Sequence, residues 1–210
     1  MTAAGGLGRA VVCDHRDDEQ VRGAVDRISA ECGVLHLLVN NAWGGYERLN
    51  AGAWAEWKAP FWEQPLILWD AMLGSGVRTH YVTSALCAPL LRTTPGSAIV
   101  TVSMEVGDAH DADHGVAYSV AKAADDRLAL AIAGQLARDR VASVSLYPGL
   151  VRTEGVMQFA EYLDLDGSQS PEGVGRVVAA LADDTEIMSL TGQCLNVDEL
   201  ARRYGVDVGV

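Results

Sequence analysis

The 210-residue sequence is poor in basic side chains and has no long apolar run. Sixteen lysines and arginines stand against 28 acidic residues, which gives a formal net charge of -12. This negative excess argues against nucleic acid or an anionic membrane surface as a partner. No apolar stretch is long enough to cross a bilayer, and the first residues lack the basic and apolar pattern of a signal peptide. We therefore expect a cytoplasmic protein.

Cysteine is also scarce, and its spacing argues against a disulfide framework. The four cysteines are scattered along the chain and form no C-x-x-C pair. We interpret them as reduced thiols of a cytosolic protein. They are Cys13, Cys32, Cys87 and Cys194.

A glycine loop of the kind that binds phosphate is missing as well. The letters G-G-L-G at residues 5–8 suggest one, but such a loop must follow a strand and lead into a helix N-terminus, where free N–H groups receive the phosphate. No strand precedes these glycines, and the run R-A-V-V-C-D at residues 9–14 predicts a strand after them. We therefore interpret the glycines as an ordinary loop.

The chain does contain apolar runs that alternate with helical patterns. A helix predicted from about Asp17 to Glu31 leads to H-L-L-V-N-N-A, whose continuous apolar run predicts a buried parallel strand over His36–Asn40. Further strands are predicted in A-I-V-T-V, V-A-S-V-S-L-Y and G-Q-C-L-N-V. Further helices are predicted after Pro65, from Tyr118 onward, and after S-P-E, which supplies an N-cap serine and a proline at the first helical position.

One pair of residues suggests proton chemistry. Tyr118 and Lys122 stand four apart in Y-S-V-A-K, so on a helix they share one face. An ammonium close to a phenol favours the phenolate, and a phenol tuned in this way can exchange a proton with a carbonyl or an alcohol. Ser103 ends the run A-I-V-T-V and could hydrogen-bond the same oxygen. The alternative is a solvated pair on a helix surface, which is the commoner explanation of a lone Y-x-x-x-K.

Taken together, four motifs resemble the short-chain dehydrogenase/reductase family, in the right order and over nearly the whole chain. They are V-V-C-D, L-L-V-N-N-A, the serine with its Y-x-x-x-K, and Y-P-G-L-V-R-T. The resemblance implies a single α/β domain over residues 1–210, with a Rossmann-like three-layer αβα architecture and a mostly parallel sheet. It implies hydride transfer between NAD or NADP and a carbonyl or alcohol, with Ser103, Tyr118 and Lys122 as catalytic residues.

The resemblance also implies where the cofactor binds. An acid at the end of the predicted first strand contacts the adenine ring, although capping of the next helix is an equally good explanation. Backbone approaches the cofactor after the N-N-A strand, the Tyr/Lys pair holds the ribose, and P-G-x-V-x-T surrounds the nicotinamide. These positions are Asp14, Asn41, Ala42, Tyr118, Lys122, Pro148, Gly149, Val151 and Thr153.

Two positions depart from the family pattern. Trp43 stands where the family has a glycine, so either the turn has shifted by one residue or the indole forms part of a pocket wall. Gly76 stands where many members have an asparagine that completes a catalytic tetrad. We therefore expect a site reduced to serine, tyrosine and lysine.

Three further segments leave alternatives open. All five tryptophans lie between Trp43 and Trp69, which predicts either a core or oligomer contact or an apolar substrate pocket. The run D-A-H-D-A-D-H at 108–114 could ligate a metal, but we interpret it as a loop at the rim of the site and expect no metal. The segment Glu154–Gln169 resembles a mobile substrate lid.

The largest departure is at the front of the chain. The family begins with a strand, a T-G-x-x-x-G-x-G loop, a helix and a second strand, none of which is in this sequence. We expect an N-terminally truncated fold without the first two strands, and weak binding of NAD or NADP. The explanation is either a late-called start or fragment, or a cofactor-poor relative serving as a binding or assembly module.

That departure leads to a specific expectation for the sheet. With its usual neighbours absent, the strand predicted at 9–14 is expected to move in beside His36–Asn40, since pairing satisfies more backbone hydrogen bonds. The alternative is that it stays unpaired and leaves the edge of His36–Asn40 exposed. The expected partners are a small apolar carbonyl compound or alcohol and further copies of the chain, in a homodimer or homotetramer. The choice between NAD and NADP stays open.

Overall fold

The fold is built on a parallel sheet of four strands among the residues that the computed structural model describes, which are 5–45, 56, 59–106 and 115–209. The strands lie in the order β1-β2-β3-β4, and every pair is parallel. Their bounds are Leu37–Asn40, Ala98–Val102, Ala142–Tyr147 and Cys194–Asn196 for β1 to β4. The predicted α/β fold with a parallel sheet is confirmed.

Helices flank this sheet within the described residues. They are α1 (Asp18–Cys32), α2 (Leu66–Met72), α3 (Thr79–Arg92), α4 (Val116–Leu136), α5 (Glu154–Met157), α6 (Pro171–Ala182) and α7 (Val197–Tyr204). A π-helical turn, Leu73–Arg78, joins α2 to α3 without a break.

Neighbouring residues of β2 show why three layers form. Side chains alternate between the two faces of a strand, and Ile99 and Val100, both fully buried, belong to different apolar clusters. Val100 packs in the cluster that contains Val177 of α6 and Leu200 of α7. Ile99 packs in the cluster that contains Val25 of α1, together with residues of α3 and α4.

The predicted first helix is confirmed as α1. Asp17 is its N-cap, and the carboxylate accepts hydrogen bonds from the backbone N–H groups of Glu19 and Gln20. Val21 and Val25 are its buried residues, and the helix packs against α3. Gly33 ends it in the left-handed conformation that glycine adopts without cost.

The expected pairing of residues 9–14 with β1 is wrong. These residues form no strand, and Val12 is fully exposed. Hydrogen bonds and ion pairs tie the segment to α1: Gln20 Oε1 accepts from the N–H of Asp14, and Arg9 pairs with Glu31. The alternative outcome holds within the described residues, because β1 is an edge strand and Val39 is 40% exposed.

The position of α1 explains this outcome. Burial of its apolar face against α3 fixes the helix, and Asp18 forms a salt bridge with Arg78 at the end of the π-helical turn. Only a short loop separates α1 from β1, whereas residues 9–14 precede the capped N-terminus. The position of residues 9–14 is therefore set by the start of α1. Pairing with β1 would require the helix to leave its apolar contacts.

Candidate active site

The three residues predicted to be catalytic lie at the carboxyl end of β2. Ser103 directly follows that strand, and Tyr118 and Lys122 stand in the first turns of α4. The Ser103 hydroxyl donates to the backbone oxygen of Lys122 at 3.1 Å, and Lys122 Nζ donates to the oxygen of Val102 at 3.1 Å. The lysine nitrogen lies 5.9 Å from the centre of the Tyr118 ring. Their catalytic roles stay predictions.

The alternative of a solvated pair on a helix surface is wrong for the lysine. Lys122 is only 6% exposed, and Tyr118 is partly buried. Burial of a lysine without compensating contacts costs free energy, because its ammonium loses hydration. The structure compensates for that loss with specific contacts.

Trp43 provides the first of these contacts. Its ring centre lies 3.7 Å from Lys122 Nζ, which is a cation–π distance, and the indole and the Tyr118 ring form a T-shaped pair with centroids 5.6 Å apart. Met72, Ala117 and Ala121 form the apolar cluster around these rings. The indole is therefore part of the wall of the site, which was one of the two interpretations of Trp43 offered from the sequence.

Trp43 and Gly76 fit each other closely. A Cβ at position 76 would lie 2.6 Å from Trp43 Cζ3 and 2.8 Å from its Cε3, so the indole fills the space of any side chain there. Gly44 also has no room for a side chain, because a Cβ there would lie 2.6 Å from Ser75 Cβ. The two departures from the family pattern, Trp43 and Gly76, form one packing unit.

The second contact was missed by the sequence analysis. Asp125 Oδ2 lies 3.5 Å from Lys122 Nζ, and Asp125 Oδ1 lies 2.8 Å from His80 Nδ1. His80 Nε2 in turn donates to the backbone oxygen of Ala42 at 2.9 Å. His80 and Asp125 are 2% and 0% exposed. The spacing of three residues from Lys122 to Asp125 was the available signal, because it places them on one helix face.

Burial and charge oppose each other at Lys122. Burial lowers the pKa of its ammonium below the ordinary value for lysine, because the charged form loses hydration. The carboxylate of Asp125 acts in the opposite direction, through its charge and its hydrogen bond. Among the charges that act on Lys122, the carboxylate of Asp125 therefore does most to favour the ammonium.

A cavity of about 850 Å³ opens beside this cluster and contains the predicted adenine end of the cofactor site. Its lining includes Asp14, Ala42, Trp43, Ile67 and Arg78. Of the predicted cofactor residues, only Asp14 and Ala42 are in that lining. Asn41, which precedes Ala42 in the same loop, is exposed.

Asp14 does not cap the first helix, so that interpretation of it is wrong: the cap is Asp17. The Asp14 carboxylate accepts from the backbone N–H of Arg16 at 3.0 Å and from its guanidinium at 2.9 Å. These hydrogen bonds lower the pKa of Asp14 to about 2. Its predicted contact with adenine stays a prediction.

The predicted nicotinamide residues lie in the segment that follows β3. Pro148 and Gly149 turn the chain, with Gly149 at a φ of 69°. Val151 pairs in parallel with Gln169, which closes the base of the predicted lid. The Thr153 hydroxyl accepts from the N–H of Val156 at 3.3 Å and caps α5. This capping role does not need a cofactor.

Two features beside Asp14 bear on the predicted binding of a cofactor. The cavity beside Asp14 is large enough for a nucleotide half. The start of α1, which follows the lining residues Cys13 to Arg16, is unfavourable for phosphate, because Asp17 caps it and Asp18 and Glu19 follow in its first turn.

The tryptophan-rich segment is described only in part. Trp62 and Trp69 are 71% and 44% exposed, so neither belongs to the core of a single chain. Trp54 and Trp57 lie outside the described residues, as does the run at 108–114 for which a metal was considered. Across the described parts, no group of three or more potential ligands is placed to hold a metal ion. No helix described is both long and apolar enough to span a membrane.

Comparisons with known proteins show the family of this chain. A family model described as short chain dehydrogenase matches residues 2–163. The chain is 37% identical to Dehydrogenase/reductase SDR family member 1 of Mus musculus over 216 residues, which cover 96% of this chain and 67% of that protein. The protein of the same name from Homo sapiens is 36% identical over 217 residues, with the same coverage of 96% and 67%.

Solved structures show the same fold. A short chain dehydrogenase from Mycobacterium thermoresistibile has a TM-score of 0.81 at 25% identity, covering 100% of this chain and 76% of that one. A short chain dehydrogenase from Shigella flexneri, solved in complex with NADP, has a TM-score of 0.74 at 20% identity, covering 92% and 77%.

Proposed function

Because the chain belongs to the short-chain dehydrogenase/reductase family, we propose that it is an NAD- or NADP-dependent oxidoreductase that interconverts a carbonyl compound and an alcohol. The observation that carries the proposal is the buried Lys122 beside Tyr118 at the carboxyl end of β2, where open α/β sheets bind their ligands. Ser103 stands at the same strand end.

The residues that would hold the cofactor lie on both sides of this cluster. Asp14, Asn41 and Ala42 would contact its adenine side, and the segment from Pro148 to Thr153 its nicotinamide side. Bound nicotinamide supplies or accepts the hydride. A structural relative is named as a complex with NADP, which supports a nicotinamide cofactor without deciding between NAD and NADP.

The chain's own side chains would handle the proton. Tyr118 would give a proton to the substrate oxygen during reduction and take it back during oxidation. Lys122 would hold the ribose, and its positive charge would stabilise the tyrosinate. The Ser103 hydroxyl, which donates to a backbone oxygen here, would turn to steady the reacting oxygen.

The expected substrate is a small apolar carbonyl compound or alcohol. The rings of Trp43 and Tyr118 and the side chain of Met72 give the surroundings of Tyr118 apolar surfaces, and the net charge of -12 disfavours anionic substrates at long range.

A homodimer or homotetramer is the expected assembly. Tyr81 on α3 and Val116 and Val120 on α4 are 59%, 48% and 42% exposed. Apolar side chains on two neighbouring helices would be covered if the helices of two copies packed together.

A cofactor-poor module for binding or assembly is the second candidate. It is favoured by the capped start of α1 and by the indole of Trp43, which covers the ammonium that would meet a ribose. The two candidates differ in one observable, the transfer of hydride.

Transfer of an isotopic label tests the proposal directly. The chain is incubated with NADH or NADPH carrying deuterium at C4 and with a panel of aliphatic and aromatic ketones and aldehydes. Mass spectrometry should find deuterium on the carbinol carbon of at least one product. If none acquires the label at millimolar cofactor, the oxidoreductase proposal fails and the binding module is favoured.

A further inference from the structure

A chain of hydrogen bonds joins the loop after β1 to Lys122 through His80 and Asp125. A backbone oxygen can only accept, so His80 Nε2 carries a hydrogen toward Ala42. The other ring nitrogen, His80 Nδ1, lies 2.8 Å from Asp125 Oδ1 and holds the carboxyl group from the side of α3. Asp125 Oδ2 is left as an acceptor directed at the Lys122 ammonium.

On the basis of the proposed roles of Tyr118 and Lys122, we propose that Asp125, anchored by His80, is a positioning residue that keeps the Lys122 ammonium charged and in place beneath Trp43. His80 fixes the carboxylate from α3, and its other nitrogen ties the arrangement to the loop after β1. A strand end, two helices and a loop therefore determine the position of one cation.

The surroundings of Lys122 leave Asp125 as the main source of negative charge. Among the described residues, the ammonium meets the Val102 oxygen from β2 and the Trp43 ring from the loop after β1. From its own helix it meets Asp125 and, at 5.9 Å, the centre of the Tyr118 ring. His80 lies behind Asp125 on the side of α3. Burial lowers the pKa of Lys122 and Asp125 is the largest opposing influence, so removing the carboxylate should lower that pKa further.

Asp126 offers a matched control on the same helix. It is the next residue along, but its carboxylate accepts from the Ser145 hydroxyl at 2.6 Å and the Tyr147 hydroxyl at 2.8 Å. Its charge is the weakest of the named influences on Lys122. Asp126→Asn thus removes a carboxylate that accepts two hydrogen bonds. It should change the pKa of Lys122 much less than Asp125→Asn does.

The experiment is a titration of the lysine side chains by NMR. The sequence has two lysines, Lys58 and Lys122, so labelling lysine with ¹³Cε and ¹⁵Nζ gives two side-chain signals, and Lys58→Arg assigns them. We expect Asp125→Asn to lower the pKa of Lys122 by about one unit or more, and Asp126→Asn by less than half as much. An absent or upward shift in Asp125→Asn, or equal shifts in the two variants, would overturn the inference.

A second measurement covers the case in which Asp125→Asn does not fold. It uses protein in which Asp126→Asn is the one change and the aspartates carry ¹³Cγ. As the pH is varied, the chemical shift of one carboxyl carbon should change with the same midpoint as the Lys122 titration. The absence of any such signal overturns the inference. Neither measurement needs cofactor or turnover: a chain with the Lys122 shift and no label transfer loses only the proposed function, and the reverse result removes only the role of Asp125.

Discussion

The reaction end of the candidate site and the segment before α1 differ in how the chain fixes them. At the reaction end, Ser103, Lys122 and Asp125 are almost completely buried, and every polar group named there has a partner from another element or from the helix backbone. In the segment at 9–14, Val12 is fully exposed, and the Asp14 carboxylate bonds only to nearby Arg16 among the contacts described. The first region is defined by contacts among strand ends, helices and loops, and the second by polar contacts with Arg16 and with exposed side chains of α1.

The difference shows which part of the proposed function this chain supports by itself. Proton chemistry needs one strand end and one helix, because residues at spacings of three and four share a helix face. Holding a dinucleotide also needs strand neighbours and an open helix N-terminus. We expect perturbations at the reaction end to have large effects and those in the segment at 9–14 to have small ones.

The largest effect is expected from Tyr118→Phe. Loss of the hydroxyl removes the proton donor and acceptor, so label transfer from NADH or NADPH should fall about a thousandfold. Unfolding by denaturant should change by less than about 0.5 kcal/mol, since the ring contact with Trp43 is retained. Tyr81→Phe, at a tyrosine that is 59% exposed on α3, is the matched control and should keep full activity. Retained turnover in Tyr118→Phe would remove the mechanism.

The next effect concerns cofactor affinity. Because the Asp17 carboxylate occupies the N–H groups of Glu19 and Gln20 at the start of α1, we expect the 210-residue chain to bind NADH and NADPH without saturation below about 1 mM. AMP, which tests the adenine side alone, should bind about as well. Isothermal calorimetry provides the measurement. Micromolar binding would contradict the prediction and would mean that another segment or a second copy supplies the missing contacts.

A smaller effect, on stability, is expected where Trp43 meets Gly76. Gly76→Ala places a methyl group within 2.6 Å of the indole, so it should destabilise the fold by about 1–3 kcal/mol. In a Trp43→Ala background the clash is gone, and the same change should be neutral or stabilising by up to about 1 kcal/mol. Gly134→Ala, in α4 with no atom near the new Cβ, is the control. Denaturant unfolding of the wild type, the two single variants and the double variant, with Gly134→Ala alongside, checks the reversal of sign.

Sequence patterns predicted local features of this molecule better than distant ones. The cap of α6 at Ser170 and the pairing of Tyr118 with Lys122 on one helix follow from short spacings, and both could be predicted. The fit of Trp43 against Gly76 and the contact of His80 with Asp125 join residues far apart in the chain, so spacing gave no sign of either.

The same limit explains the wrong strand. R-A-V-V-C-D and A-I-V-T-V are both short runs rich in valine, and both were predicted to be strands. An apolar run becomes a strand only where a neighbouring backbone offers its hydrogen bonds. Residues 98–102 lie between β1 and β3, whereas residues 9–14 have no strand beside them in the described structure.

A pair of valines tests this contrast and gives the smallest expected effect. Val12→Ala should change the free energy of unfolding by less than about 0.5 kcal/mol, because the side chain is fully exposed and has no apolar contact to lose. Val144→Ala, at a fully buried position of β3, should cost about 2 kcal/mol through lost burial and a residual cavity. Denaturant unfolding compares the two at equal protein concentration. If Val12→Ala cost as much as Val144→Ala, the segment at 9–14 would be buried in solution, against the sheet or against another copy of the chain. The contrast between this segment and the reaction end of the site would then be wrong.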